Sequence, residues 1–256
     1  MLTLAEHGTG RPVVLLNPFP FDTRIWADNV SALVARGLRV FTIDYPGFSP
    51  SATAWPARRL SIDGIADSVV SELDQRGVPA AAYVGVSMGG YVALSIATRF
   101  PARANALVLA DTRATGDSPT ARAGREAALA TLANPTEGVE AYLTGSLGKL
   151  VAPDASDEIR ARVRTLAVTH KSALVAGIQA LRDRHDRTPD LATLSAPTLV
   201  LVGAGDQISP PDEMRGLAAA IKGATFHEIA GAGHLTLLEQ PAVFNRLVGD
   251  FLAPRK

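Results

Sequence analysis

The stretch Ala82-Tyr83-Val84-Gly85-Val86-Ser87-Met88-Gly89-Gly90 passes from an apolar run into a helical pattern through one serine set among glycines. Residues 82–86 have the length and composition of a buried strand, and residues 88–100 read as a helix stopped by Pro101. Ser87 is left alone on the turn between them. A strand that reverses into a helix over one residue brings two backbones close together. Gly85 and Gly89, two before and two after Ser87, leave room where a side chain would clash. The start of the helix also aims N–H groups at the same point, which suits a developing negative charge. Strand, sharp turn and helix form the setting of a G-x-S-x-G nucleophile elbow. The blander reading is a tight turn in which Ser87 only caps the helix.

The chain on either side repeats the alternation. Val13-Val14-Leu15-Leu16, Val40-Phe41-Thr42-Ile43, Leu107-Val108-Leu109, Thr198-Leu199-Val200-Leu201-Val202 and residues 225–229 are further short runs, most of them apolar throughout, as in strands covered on both faces. Ser61 stands as an N-cap before Ile62, Ile65, Ala66, Val69, Val70 and Leu73, which share one helical stripe, and Gly77 with Pro79 closes that helix. Residues 211–221 and 241–252 give two more helical patterns. Strands alternating with helices predict an α/β fold, a doubly wound and mostly parallel sheet.

One region breaks the pattern. Residues 113–194 contain no strand signal and read as several helices, broken near Asn134-Pro135 and at Pro153. The expected organisation is a core of residues 1–112 and 195–256, with 113–194 inserted between two strands as a helical cap over the sheet's carboxyl edge. Ligands of such sheets bind at that edge.

Composition narrows the function. The 256 residues carry 25 Lys+Arg and 25 Asp+Glu, so there is no basic excess for generic nucleic-acid binding. No cysteine is present, which removes disulfides, thiolate metal sites and a cysteine nucleophile. The amino-terminal residues lack the basic and apolar regions of a secretory signal, and no apolar run reaches membrane-spanning length. The expectation is a cytoplasmic protein without membrane or nucleic-acid partners.

Two further positions complete a chemical pattern. Asp206 follows the strand Thr198-Leu199-Val200-Leu201-Val202 in Gly203-Ala204-Gly205-Asp206, and His234 follows the strand at 225–229 in Gly231-Ala232-Gly233-His234. Alone, the first reads as a turn residue and the second as a structural histidine. With Ser87 they give serine, aspartate and histidine in that chain order, each at the carboxyl end of a strand. Asp111 also ends a strand and is the alternative acid. His7 reads as a solvated residue near the terminus and His227 as structural.

On these residues the chain resembles the α/β-hydrolase superfamily over essentially its whole length. Gly85 to Gly90 matches the nucleophile elbow, Leu201 to Asp206 the acid segment, and Ala230 to His234 with Leu238-Glu239-Gln240-Pro241 the histidine segment. Within the superfamily it is most similar to the bacterial carboxylesterase and 3-oxoadipate enol-lactonase-like group. The resemblance implies a cofactor-free, metal-free serine hydrolase of esters or lactones, and the shortness of the cap at 113–194 suits a small to medium substrate. Ser87 would be the nucleophile, His234 the base and Asp206 its orienting acid, with the backbone N–H groups of Phe19 and Met88 as oxyanion donors. The alternatives on the same fold are a lyase, a perhydrolase of the haloperoxidase kind, or a slowly turning-over ligand receptor.

There are two departures from the family pattern. Asn17-Pro18 stands where His-Gly is usual, ahead of Phe19-Pro20, and Ser49 stands where Gly is common in Asp44-Tyr45-Pro46-Gly47-Phe48-Ser49. The mixed-charge run Arg182-Asp183-Arg184-His185-Asp186-Arg187 reads first as a solvated face. The enol-lactonase resemblance adds the sharper expectation that Arg182 or His185 meets an anionic substrate group.

Overall fold

The computed structural model describes residues 2–49 and 59–253. The first half of the chain runs β1 (Thr3–His7), β2 (Arg11–Leu16), α1 (Ala27–Val34), β3 (Leu38–Asp44), α2 (Ile62–Gln75), β4 (Ala81–Val86), α3 (Met88–Arg99) and β5 (Ala104–Ala110). Four helices follow without a strand: α4 (Pro119–Ala133), α5 (Gly138–Leu147), α6 (Asp157–Leu166) and α7 (Lys171–Arg182). The chain then returns to the sheet with β6 (Thr198–Gly203), α8 (Pro211–Ala220), β7 (Thr225–Ile229), α9 (Thr236–Glu239) and α10 (Pro241–Leu252).

The seven strands lie in the order β1-β3-β2-β4-β5-β6-β7. All neighbours are parallel except β1, which runs antiparallel to β3. Every residue of β4 and β6 is buried, so continuous apolar runs mark them. The sheet winds one way from β2 to β3 and the other way from β4 onward. The switch lies between β2 and β4, where Leu16 pairs with Gly85. The loops leaving those two strands part in opposite directions there and open a crevice. Residues 17–21 and Ser87 are those two loops.

The elements have local causes. Ser61 caps α2 by accepting the Gly64 N–H at 3.1 Å. The break at Asn134-Pro135 is an Asx turn, in which Asn134 Oδ1 accepts the N–H groups of Thr136 at 3.0 Å and Glu137 at 3.1 Å. The sequence missed β1, whose residues Thr3-Leu4-Ala5-Glu6-His7 are mostly exposed at the sheet edge and carry no apolar run. It also missed α1, which has no capping side chain.

Candidate active site

Ser87 sits between β4 and α3 with φ +52° and ψ −115°, a conformation that strains any residue with a Cβ. The surroundings impose it. The Ser87 N–H donates to Ala110 O at 2.9 Å, and the Ser87 carbonyl accepts the Gly90 N–H at 2.9 Å and the Thr112 hydroxyl at 2.7 Å. The glycines serve close approach, as the sequence implied. A Cβ on Gly85 would lie 2.3 Å from Gly89 O, and one on Gly89 would lie 2.0 Å from Leu16 O. Larger residues at either position would push β2, β4 and α3 apart.

His234 reaches Ser87 from the loop after β7, with Nε2 2.8 Å from Oγ. Its Nδ1 lies 2.8 Å from Asp206 Oδ2, and Asp206 stands on the loop after β6. The other Asp206 oxygen accepts the N–H groups of Ile208 at 2.8 Å and Ser209 at 3.0 Å, which fixes the carboxylate plane. His234 and Asp206 are almost wholly buried. An imidazole held between a hydroxyl and a carboxylate in this way can take the hydroxyl proton while the carboxylate stabilises the resulting cation.

Asp111, the other aspartate at a strand end, does not touch the imidazole. It has φ +47° and is fully buried. One oxygen accepts the Gly203 N–H at 3.0 Å, and the other accepts the Thr236 N–H at 3.2 Å and its hydroxyl at 2.5 Å. Asp111 therefore ties β6 to the start of α9, beneath the Asp206–His234 pair. Its pKa is pushed up to about 7, first by burial and then by the charge of Asp206.

The sign of the pH effect follows. With the folded pKa above the unfolded value of about 3.9, the folded protein binds more protons between the two, so stability falls as pH rises through that window. Measured against the non-titrating Asp111→Asn, the wild-type melting temperature should drop by a few degrees from about pH 5 to about pH 8. A constant difference between the two melting curves over that range would show Asp111 already ionised at the acid end.

Phe19 and Met88 flank Ser87 from the two sides of the switch point. Met88 is the first residue of α3, so its N–H is among those with no acceptor inside the helix. Phe19 lies on the loop after β2, which Asn17 anchors. The buried Asn17 amide donates to Ile43 O at 2.9 Å, its oxygen accepts the Trp26 indole N–H at 2.8 Å, and its carbonyl accepts the Tyr45 hydroxyl at 3.0 Å. The asparagine side chain thus braces the loop through two bonds, and its main-chain carbonyl adds a third.

A cleft of about 540 Å³ opens over Ser87 and His234, with Phe19 and Pro20 on one side and α4 and α5 on the other. Arg182 and His185 do not line it. Arg182 is held by Glu126 at 2.5 Å and Asp183 at 2.9 Å. His185 is exposed, pairs with Asp63 at 3.3 Å, and borders a separate void of about 10 Å³, room for no more than one water. Arg184, between them, does face the cleft. It is buried, bonds Asp117 and the Leu181 and Thr115 carbonyls, and stacks on Tyr91 at 4.5 Å. Arg113, Arg125, Lys149 and Asp117 line the same cleft. Sequence reading missed them because charged residues ordinarily face solvent, and these come from separate segments, Arg113 and Asp117 before α4, Arg125 on α4, Lys149 after α5 and Arg184 after α7, that only tertiary packing brings to one cleft.

Residues 11–241 match the family model described as alpha/beta hydrolase fold. The chain belongs to this family. It is 30% identical to a 2-hydroxy-6-oxononadienedioate/2-hydroxy-6-oxononatrienedioate hydrolase of Pseudomonas putida, over 89% of this chain and 82% of that protein. Among solved structures, a thermophilic esterase from Thermogutta terrifontis with malate bound superposes with a TM-score of 0.90 at 32% identity, covering 98% of this chain and 92% of that one. The enol-lactonase from Burkholderia xenovorans LB400 gives a TM-score of 0.88 at 28% identity, covering 99% and 96%. The family assignment agrees with the sequence expectation, as does the seven-stranded, mostly parallel sheet. The relatives are hydrolases of ester, lactone and dienedioate type.

Proposed function

We propose that this protein is a serine hydrolase of carboxylic esters or lactones acting through an acyl-enzyme. The observation that carries the reading is the continuous chain from Ser87 Oγ to His234 to Asp206, with both links at 2.8 Å, at the floor of a cleft large enough for a medium-sized ester. Ser87 Oγ adds to the carbonyl carbon as His234 Nε2 takes its proton. The oxyanion rests on the N–H groups of Met88 and Phe19. Collapse of the intermediate breaks the bond to the leaving alkoxide, which takes the proton from His234. Water then attacks the acyl-enzyme and gives its proton to the same nitrogen; collapse breaks the bond to Ser87 Oγ, which takes that proton back from His234 as the acid is released. Asp206 keeps the proton on Nδ1 throughout. Residues 113–194 act as the cap that shapes the substrate site, and no step needs a metal or organic cofactor. A fluorophosphonate probe should label Ser87 stoichiometrically, and p-nitrophenyl butyrate should be turned over. A folded protein that does neither would point to a binding role for the same cleft.

The cleft also supports a substrate class. Its lining holds Arg113, Arg125, Lys149 and Arg184 against the carboxylate Asp117, with Glu213 pairing Arg113 at 3.1 Å from outside the lining. Only four residues join α4 to α5, so the two helices pair antiparallel. Arg125 lies close enough to Tyr142 for its charge to act on that hydroxyl, so the cations stand among the apolar Ala127, Ala128 and Ala141. A cleft that sets cations among apolar side chains suits an ester that bears a carboxylate, the kind of group named in the dienedioate relatives. Monomethyl glutarate should exceed methyl pentanoate in kcat/KM by about tenfold at low ionic strength, and the gap should close with added salt. Preference for the neutral ester, or a gap indifferent to salt, would remove the anionic class and leave the ester reading standing.

A further inference from the structure

The histidine loop contains little that could hold it still. Ala230-Gly231-Ala232-Gly233 precedes His234 with almost no side-chain mass, yet His234 must keep its ring within hydrogen-bond reach of both Ser87 and Asp206. The helical insertion crosses this loop backbone to backbone. A Cβ on Gly233 would lie 2.3 Å from the Ala152 nitrogen and 2.4 Å from the Val151 carbonyl carbon. Two chain segments far apart in sequence therefore meet at a point where neither brings a backbone acceptor for the N–H groups of Ala152, Gly233 and Leu235.

Glu239, at the end of α9, supplies both acceptors. Its Oε1 accepts the Gly233 N–H at 2.8 Å and the Leu235 N–H at 3.3 Å, the two N–H groups that flank His234. Its Oε2 accepts the Ala152 N–H at 2.8 Å. From the far side Arg160 donates to Pro153 O at 2.8 Å and Ala152 O at 3.3 Å, so the segment is held from two directions. No ion pair to Glu239 exists among the described residues, and the residue is half-buried. Burial pushes its pKa up, against the pull of the three N–H groups. A half-buried carboxylate without a cation, spent wholly on backbone N–H groups, is costly unless the geometry it enforces is needed.

We propose that Glu239 is a positioning residue for His234, one carboxylate that locks the histidine loop and the 150–153 segment of the helical insertion into a single arrangement. The inference rests on the serine-hydrolase reading for its kinetic consequences, but not for the geometry it assigns to the imidazole. It also couples the two halves of the site, since movement of the insertion over the cleft strains the bonds on either side of the base.

Glu239→Gln tests it, because the variant keeps the volume and one acceptor oxygen but sets an NH₂ group against at least one of the three N–H donors. At 20 °C, with the fold verified by circular dichroism, kcat for p-nitrophenyl butyrate should fall about tenfold to a hundredfold, the scale on which sub-ångström misplacement acts. KM should stay within about threefold. The rate of Ser87 labelling by a fluorophosphonate should fall in parallel. The far-downfield proton resonance of the His234–Asp206 bond should shift or broaden, and this readout does not depend on what the protein hydrolyses. Glu239→Asp keeps the charge but draws the carboxylate back by one methylene, so it no longer reaches the Gly233 and Ala152 N–H groups together. It should reproduce a smaller loss of kcat with the same resonance change, and it decides the matter if Glu239→Gln fails to fold. A lower melting temperature with unchanged kcat, labelling rate and resonance in the folded variants would make Glu239 a stabilising residue only and overturn the proposal. A wild-type protein that shows the resonance but neither labels nor turns over would overturn the hydrolase reading instead, with the Glu239 assignment still read from the spectrum.

Discussion

Ser87→Ala is expected to leave the fold intact and to reduce kcat/KM by at least about a thousandfold. The two halves of that expectation have separate physical grounds. The positive φ at Ser87 is imposed by its backbone bonds to Ala110, Gly90 and Thr112, none of which uses its hydroxyl. Alanine carries the same Cβ, so it adds no strain that serine does not already bear, and the only bond lost is the one to His234. The melting temperature should move by no more than a few degrees. Turnover, by contrast, loses the hydroxyl that His234 Nε2 holds at 2.8 Å on the cleft floor. What remains is the polarising effect of the N–H groups at Met88 and Phe19, which can still assist attack by water. Retention of more than a tenth of wild-type kcat/KM by a folded Ser87→Ala protein would place the nucleophile elsewhere. Fluorophosphonate labelling of the variant would do the same.

How much of this was legible in the sequence depended on whether a residue's role is local or assembled. Gly85 and Gly89 could be read because the clash they avoid lies within one strand–turn–helix unit, and the structure finds Gly89 against the β2 carbonyl of Leu16. The buried strands were legible because covering on both faces makes them apolar throughout. The edge strand Thr3–His7 was not, since its partner β3 fixes it and its own residues face water. The mixed-charge run at 182–187 shows the limit clearly. Its chemistry was visible, but which of its side chains faces the cleft is set by how α7 meets α4. That packing turned Arg184 inward toward Asp117 and Tyr91 and left Arg182 and His185 to surface carboxylates. Asn17 is a similar case. As a departure from the usual His-Gly it left the state of the loop open, whereas its three bonds to Ile43, Trp26 and Tyr45 depend on tertiary neighbours.

The two buried aspartates at strand ends should separate sharply on amidation. Asp206 offers one oxygen to His234 Nδ1 and the other to the N–H groups of Ile208 and Ser209. In Asp206→Asn the amide oxygen satisfies the same two N–H groups, which turns its NH₂ toward the imidazole. Nδ1 must then act as acceptor, the ring proton moves to Nε2, and the nitrogen facing Ser87 has no lone pair left to take a proton. In serine proteases the equivalent change of tautomer costs about 10⁴ in kcat with the geometry retained, and a loss of that order is expected here. Asp111→Asn disturbs different bonds. The amide can keep the Gly203 contact and donate to the Thr236 hydroxyl, leaving the Thr236 N–H as the one donor without its acceptor. It also removes a titrating carboxyl from beneath Asp206, so activity should stay within about tenfold while the stability profile changes as described above. Steady-state kcat on a p-nitrophenyl ester for both variants, each verified as folded, decides the assignment. A nearly inactive Asp111→Asn beside an active Asp206→Asn would move the acid to Asp111. Two mildly affected variants would mean that Ser87 and His234 work as a dyad, with the imidazole held by its loop and by Glu239 more than by either aspartate.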